Sequence, residues 1–203
     1  MNDQYYTREP SSESRPVPCA FNYRGRLLRF TTDAGVFSKG ELDEGTRLLL
    51  DALPSLSGRV LDLGCGWGAI GVSIARANPD ASVTMADVNL RALGLAKDNA
   101  AANSVTCRIL ESDGMSAVMG ERFDAIVTNP PIRAGKQVIY KMFADAAVSL
   151  TEDGALYLVI RKQQGAESCV KYLKTLYGDV ERMAREDGFW VLRAASPVRE
   201  AQA

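Results

Sequence analysis

The 203-residue sequence contains no histidine. No imidazole is available as general base, nucleophile partner or metal ligand, which removes most hydrolase triads. Cysteine is scarce and scattered. Cys19, Cys65, Cys107 and Cys169 form no Cys-x-x-Cys pair, which argues against a zinc site and against a disulfide framework, so reduced and mostly buried thiols are expected. No metal is expected. Long apolar runs are also missing, and the start, Met1-Asn2-Asp3-Gln4-Tyr5, lacks the basic-then-apolar order of a signal peptide. A cytoplasmic protein without a membrane partner is therefore expected. The net charge of -1 gives no global attraction to nucleic acid, although a local basic face remains compatible with it. No internal repeat is evident. What remains, 46% hydrophobic and 24% charged, has the composition of one globular domain able to bury a full core.

The chain is organised around Val60 to Gly71, where an apolar run stops at Gly64, Gly66 and Gly68 and resumes as a helix. This reads as strand, tight turn and helix N-terminus, with glycine letting a ligand lie against the backbone. Residues 1–18, rich in Ser, Pro, Glu and Arg without an apolar period, read as a disordered arm. Phe21 to Thr32 is expected to form a β-hairpin turning at Arg24-Gly25. Its arginines, Arg24, Arg26 and Arg29, supply either a basic face or edge charges that discourage sheet association. Phe37 and Ser38 form either a lid over a ligand or the staple and cap of a helix expected over 41–53.

Beyond the central turn, strands expected near 82–86, 106–110, 123–128 and 155–160 alternate with helices near 69–77, 90–102, 136–150 and 166–177. Asn89 caps the second of these helices, and Val138, Met142, Ala146 and Leu150 mark the apolar face of the third. Two last runs, 180–184 and 189–194, flank Asp187-Gly188 and predict an antiparallel hairpin. The alternation predicts an α/β fold, a mostly parallel sheet with helices on both faces. A single domain over 19–195 is expected, with a hairpin and lid helix at 19–58, a core at 59–195 and a tail over 196–203.

In such a sheet, ligands bind beyond the carboxyl ends of the strands. The turn Gly64 to Gly68, Asp87, Asp113 and Asn129 all fall at those ends. Gly66-x-Gly68-x-x-Gly71 also matches the dinucleotide fingerprint, with Asp87 near the distance of a ribose contact, so a nicotinamide oxidoreductase is an open alternative. Asp62 argues against it. A carboxylate just before the turn repels a pyrophosphate and suits the ammonium of a cationic ligand, or else it caps the turn's own N–H groups. Asn129-Pro130-Pro131 is the most specific signal. Two prolines fix φ and remove donors, leaving the Asn129 side chain and the Pro130 carbonyl as acceptors. They suit the two N–H groups of a planar amine, whose nitrogen would be activated by positioning rather than by a strong base.

Asp62-Leu63-Gly64-Cys65-Gly66-Trp67-Gly68, then Asp87, Asp113 and Asn129-Pro130-Pro131, resembles the ordered motifs of class I S-adenosylmethionine-dependent methyltransferases. The resemblance implies a Rossmann-like seven-stranded sheet with the last pair in reversed order. It also implies that Gly64, Cys65, Gly66 and Gly68 hold the cofactor's methionyl part and that Asp62 binds the cofactor with them. Asp87 would bind both ribose hydroxyls, Val88 would pack on the adenine, Asp113 would accept from its amino group, and Asn129 would border the cofactor. Gly35-Val36-Phe37-Ser38-Lys39, Leu42-Asp43-x-Gly45-Thr46 and Ile160-Arg161-Lys162-Gln163-Gln164-Gly165 further resemble the small-domain relatives of the 16S rRNA guanine-N2 methyltransferases. This implies N-methylation of an RNA base, guanine N2 above all, with Asn129, Pro130 and Pro131 as the catalytic turn.

Two departures stand out. That family usually follows the turn with Phe-His, whereas Ile132 and Arg133 stand here, and an aliphatic side chain cannot stack on a base as a ring does. Those enzymes also carry an additional domain ahead of the catalytic one. Target selection would then fall to Arg24, Arg26, Arg133, Lys136, Arg161 and Lys162, or to a protein partner. A protein glutamine amide and a DNA base offer similar N–H donors and remain alternatives, as does a cofactor-binding module without catalysis.

Overall fold

The computed structural model describes residues 7–198. Two strands, β1 (Val17–Tyr23) and β2 (Arg26–Thr32), pair antiparallel around Arg24-Gly25, as the alternating pattern predicts. Phe21, Tyr23, Leu28 and Phe30 point into the core. The hairpin docks on α3 (Leu90–Ala102) through two asparagines one helical turn apart. Asn99 pairs with both the N–H and the C=O of Thr31, at 2.7 and 2.9 Å, and Asn103 does the same for Arg29, at 3.1 and 2.7 Å. Four residues of helix therefore match two residues of strand.

A seven-stranded sheet forms the body, in the order β5-β4-β3-β6-β7-β9-β8. Its members are β3 (Gly58–Leu63), β4 (Ala81–Asp87), β5 (Arg108–Glu111), β6 (Phe123–Thr128), β7 (Leu150–Arg161), β8 (Tyr177–Glu186) and β9 (Phe189–Pro197). Strand β9 runs antiparallel to both β7 and β8, and the other pairings are parallel. Both sheet faces are covered, as the unbroken burial of β7 from Gly154 to Ile160 shows. Ala155, Tyr157 and Val159 join the core under α2 (Ala69–Ala77), α3 and the hairpin. Leu156, Leu158 and Ile160 join the core under α4 (Lys136–Ser149) and α5 (Ala166–Leu176).

Several expectations are corrected. Helix α1 covers Glu44–Ala52, capped not by Ser38 but by Asp43, whose side chain accepts from the Thr46 N–H. The buried stripe of α4 is Ile139, Met142, Phe143, Ala146 and Ala147, while Val138 is 47% exposed. Strand β7 starts at Leu150, directly after α4, because Leu150 already pairs with Phe123. The domain limits expected at 18 and 195 fall inside β1 and β9. Residues 7–16, expected within a disordered arm, lie against the domain. The Leu90 N–H donates to the Arg8 carbonyl at 2.9 Å, Arg91 donates to the carbonyls of Pro10 and Ser12, and Arg8 pairs with Glu111. These are polar contacts, most of them to backbone carbonyls, which an apolar period cannot announce. Residues 1–6 and 199–203 of the expected arm and tail lie outside the described residues. Among the described residues, no helix is long and apolar enough to cross a membrane, and no group of three or more His, Cys, Asp or Glu could hold a metal ion.

Candidate active site

The parallel strands β3, β4 and β6 deliver their carboxyl ends side by side, and the site grows from there. The Ala86 carbonyl, on β4, accepts from the N–H groups of Gly64 and Cys65 at 2.8 and 3.0 Å, which folds the turn over the strand ends. Gly66 and Gly68 have φ of +53° and +88°, the left-handed region that glycine enters without steric cost. The third glycine of the fingerprint serves packing instead, because a Cβ on Gly71 would stand 2.4 Å from the Met85 sulfur. On the other side, the buried Thr128 hydroxyl donates to the Leu63 carbonyl at 2.7 Å and holds the start of Asn129-Pro130-Pro131 beside the glycine turn. The Trp67 indole N–H donates to the Phe37 carbonyl at 2.9 Å, which brings Phe37 and Ser38 over the turn.

These ends enclose a cavity of about 610 Å³. Of the residues expected in the site, Gly64, Cys65, Gly66, Asp87, Val88, Asp113, Asn129, Pro130 and Pro131 all line it. Phe37 and Ser38 also lie on the lining. The lining carries four carboxylates, Asp43, Asp87, Asp113 and Asp145, against one ammonium, Lys141. That imbalance favours a cationic ligand over a pyrophosphate. Asp87 is fixed at both oxygens, accepting from Gly66 N–H at 2.7 Å and from Asn89 N–H at 2.8 Å. Burial pushes its pKa up, against the pull of the backbone N–H groups of Asn89, Gly66 and Val88. Burial, with Asp87 and Asp62 nearby, likewise raises the Cys65 thiol well above its ordinary value, so it is a neutral lining group rather than a nucleophile.

Other expected residues stand elsewhere. Asp62 does not face the cavity. It is fully buried beneath the turn, where one carboxylate oxygen accepts from the Gly71 N–H at 2.7 Å and the other has no partner among the described residues. Desolvation raises its pKa to about 7, with the nearby Asp87 adding to the rise and the Gly71 N–H opposing it. Gly68 is the N-cap of α2 and is outside the lining. Ile132 and Arg133 begin a 3-10 turn and are outside the lining, which resumes at Ala134, with Ile132 half-buried and Arg133 exposed. Arg161 is engaged with the protein, its guanidinium 4.3 Å from the Phe189 ring centroid and 3.6 Å from Glu44. Lys162 is exposed.

Asn129 keeps its oxygen as the expected acceptor but is anchored through its nitrogen. Its nitrogen donates to Asp43 Oδ2 at 3.1 Å and to Thr46 Oγ1 at 2.9 Å, while among the described residues nothing donates to its oxygen or to the Pro130 carbonyl. In the sequence Asp43 and Thr46 are motif residues without a role. Their partner lies 86 residues from Asp43, beyond any local signal.

The strand order, with a glycine turn after β3 and acceptor groups at the ends of β4 and β6, is that of the class I methyltransferases. The chain belongs to the methyltransferase small domain family, whose model matches residues 27–193. An uncharacterized Bacillus subtilis protein, YbxB, is 41% identical over 198 residues, covering 96% of this chain and 98% of its own length. The Vibrio cholerae ribosomal RNA small subunit methyltransferase C is 34% identical over 182 residues, covering 86% of this chain and 52% of the relative. Among solved structures, the T. thermophilus 16S rRNA N2 G1207 methyltransferase, in complex with AdoMet and guanosine, superposes with a TM-score of 0.80 at 29% identity. That match covers 92% of this chain and 52% of the other. The chain thus spans about half the length of the ribosomal RNA methyltransferases it matches.

Proposed function

We propose that the chain is an S-adenosylmethionine-dependent N-methyltransferase of the cytoplasm whose substrate is the exocyclic N2 of guanine in ribosomal RNA. The observation that carries this reading is a pair of acceptors without donors among the described residues, Asn129 Oδ1 and the Pro130 carbonyl, in the wall of an acid-lined cavity. The residues fit the cofactor. A Cβ on Gly64 or Gly66 would meet no protein atom within 4 Å, so the turn leaves open space for a ligand against the backbone, and the excess of carboxylates suits a cation. When bound, S-adenosylmethionine supplies an electrophilic methyl group on a cationic sulfur.

Gly64, Cys65 and Gly66 hold the methionyl part. Asp87 accepts from the ribose hydroxyls with the lone pairs its backbone donors leave free, because a carboxylate offers about four acceptor sites. Val88 packs on the adenine, and Asp113 accepts from its amino group. Asn129 Oδ1 and the Pro130 carbonyl would accept the two N–H bonds of a planar amine and orient its nitrogen for methylation. In that step the new N–C bond replaces the sulfonium S–C bond, the sulfur leaves as a neutral thioether and one N–H proton is lost to solvent. Pro131 stiffens this turn. The exposed Arg133 and Lys162 meet the phosphate backbone of the RNA, while Ile132 supplies an apolar edge without stacking. The bound guanosine and AdoMet of the T. thermophilus relative support this choice of ligands.

The test compares two variants with ribosomal subunits as substrate. Asn129→Ala retains cofactor affinity in calorimetry and loses methyl transfer by a factor on the order of 100 or more, as expected for one preorganised polar group. Asp87→Ala loses cofactor affinity first. Full transfer by Asn129→Ala overturns the reading.

A further inference from the structure

Within the stretch Leu42-Asp43-Glu44-Gly45-Thr46, which borders the cavity through Leu42, Asp43 and Thr46, two side chains grip the one assigned to the substrate amine. Asp43 Oδ2 accepts from three donors at once: the Thr46 N–H at 2.9 Å, the Thr46 hydroxyl at 3.4 Å and the Asn129 amide nitrogen at 3.1 Å. Thr46 Oγ1 in turn accepts from the same Asn129 nitrogen at 2.9 Å. We propose that Asp43 and Thr46 are positioning residues that make Asn129 an obligate hydrogen-bond acceptor toward the substrate amine. The proposal rests on the N-methyltransferase reading above.

An asparagine amide has two faces of opposite polarity, a C=O that accepts and an NH₂ that donates. Left free, it could turn either toward the cavity. If the NH₂ faced the amine, two donors would oppose each other and the nitrogen would lose its guide. A carboxylate can only accept, so a carboxylate at 3.1 Å permits one orientation of Asn129, with the nitrogen inward and the oxygen toward the cavity. The hydroxyl of Thr46 gives its own hydrogen to Asp43 and keeps a lone pair for the second N–H of Asn129. The chain from Asp43 to Asn129 also polarises the amide. A negative charge beside the N–H bonds makes Oδ1 a stronger acceptor, which matters as the attacking nitrogen becomes positive.

The rest of the motif holds this triangle still. A Cβ on Gly45 would stand 2.7 Å from the Phe189 ring, so only glycine lets α1 sit this close to the start of β9. Arg161 lies over the same ring and reaches Glu44, tying the end of β7 to the first turn of α1. The ends of β6, β7 and β9 thus all bear on where Asp43 stands. Arg161, expected to bind RNA, serves this bracket.

The experiment must separate positioning from folding, since Asp43 also caps α1. Asn caps helices as well as Asp does, so Asp43→Asn keeps the cap while offering Asn129 a donor as readily as an acceptor. The expected result is a kcat lowered on the order of 10- to 100-fold, the scale of a misplaced reacting group, with S-adenosylmethionine affinity lowered by a smaller factor than kcat, since Asp43 also borders the cavity, and a melting temperature close to wild type. Thr46→Val lowers kcat in the same way, and Thr46→Ser, which restores the hydroxyl, recovers most of the loss. The proposal is overturned if Asp43→Asn and Thr46→Val keep wild-type kcat while Asn129→Ala loses it. It is also overturned if Asp43→Asn acts through a lower melting temperature or lost cofactor affinity. Full transfer by Asn129→Ala instead removes the N-methyltransferase reading itself, and with it the premise.

Discussion

Replacing Asp62 with asparagine separates what the buried carboxylate does for the turn from what its charge costs the fold. Desolvation raises its pKa from 3.8 to about 7. Because the folded value lies above the ordinary one, the group's contribution to stability is intact below about pH 4 and is lost as the pH rises toward 7. A rise of about 3 pH units in pKa is worth about 4 kcal/mol, at 1.36 kcal/mol per unit, once the pH exceeds the folded value. At pH 5 the cost is roughly a third of that by the same linkage. The amide that replaces the carboxylate can still accept from the Gly71 N–H, and it places its NH₂ where the unpartnered oxygen lies, at a cost of about 1–2 kcal/mol for a buried donor without an acceptor. Asp62→Asn therefore gains about 2–3 kcal/mol at pH 8 and close to nothing at pH 5. The difference of about 2–3 kcal/mol between the two pH values does not depend on the amide's own cost. Urea unfolding followed by the fluorescence of the buried Trp67 and Trp190 measures both values. An equal effect at pH 5 and pH 8 would refute the claim that this carboxyl group is held above its ordinary pKa.

Other substitutions probe the supports of the site. Gly71→Ala places a methyl 2.4 Å from the Met85 sulfur and is expected to cost about 1–3 kcal/mol in urea unfolding, since overpacking displaces neighbours. Gly66→Ala strains a φ of +53° by about 1 kcal/mol and points its methyl into open space, so cofactor affinity in calorimetry falls further than stability does. Asn99→Ala removes partners of the Thr31 N–H and C=O and of the Trp67 carbonyl, and is expected to cost about 2–4 kcal/mol, with the hairpin amides gaining hydrogen exchange before the sheet does.

Much of this architecture is legible from one-dimensional signals, and the exceptions share a physical cause. Helices α2 and α3 have the predicted limits because their ends carry local chemistry, a glycine turn before Ala69, Asn78-Pro79 after Ala77, and the Asn89 side chain accepting from Ala92 N–H at 3.0 Å. The buried strands β3, β6 and β7 read as apolar runs because both their faces are covered. Strand β8 is longer than its apolar residues suggest, since an edge strand filled with charges such as Glu181, Arg182 and Arg185 is recruited by pairing with β9 rather than by burial. The arm over residues 7–16 and the contacts of Asn129 are held by hydrogen bonds across long stretches of chain, which periodicity does not record. Arg161 and Asp62 stand out in the sequence by charge and position. Their partners, Phe189 with Glu44 and the Gly71 N–H, show them supporting the site from outside the cavity.

The central claim is the transfer of a methyl group to guanine N2 by the turn at Asn129. The most direct measurement incubates the protein with methyl-labelled S-adenosylmethionine and small ribosomal subunits from a strain lacking it, then digests the RNA to nucleosides. The account predicts label in N2-methylguanosine, and none when Asn129→Ala replaces the wild type. Label in a protein glutamine, in DNA or in another nucleoside, or cofactor binding without any transfer, would contradict it.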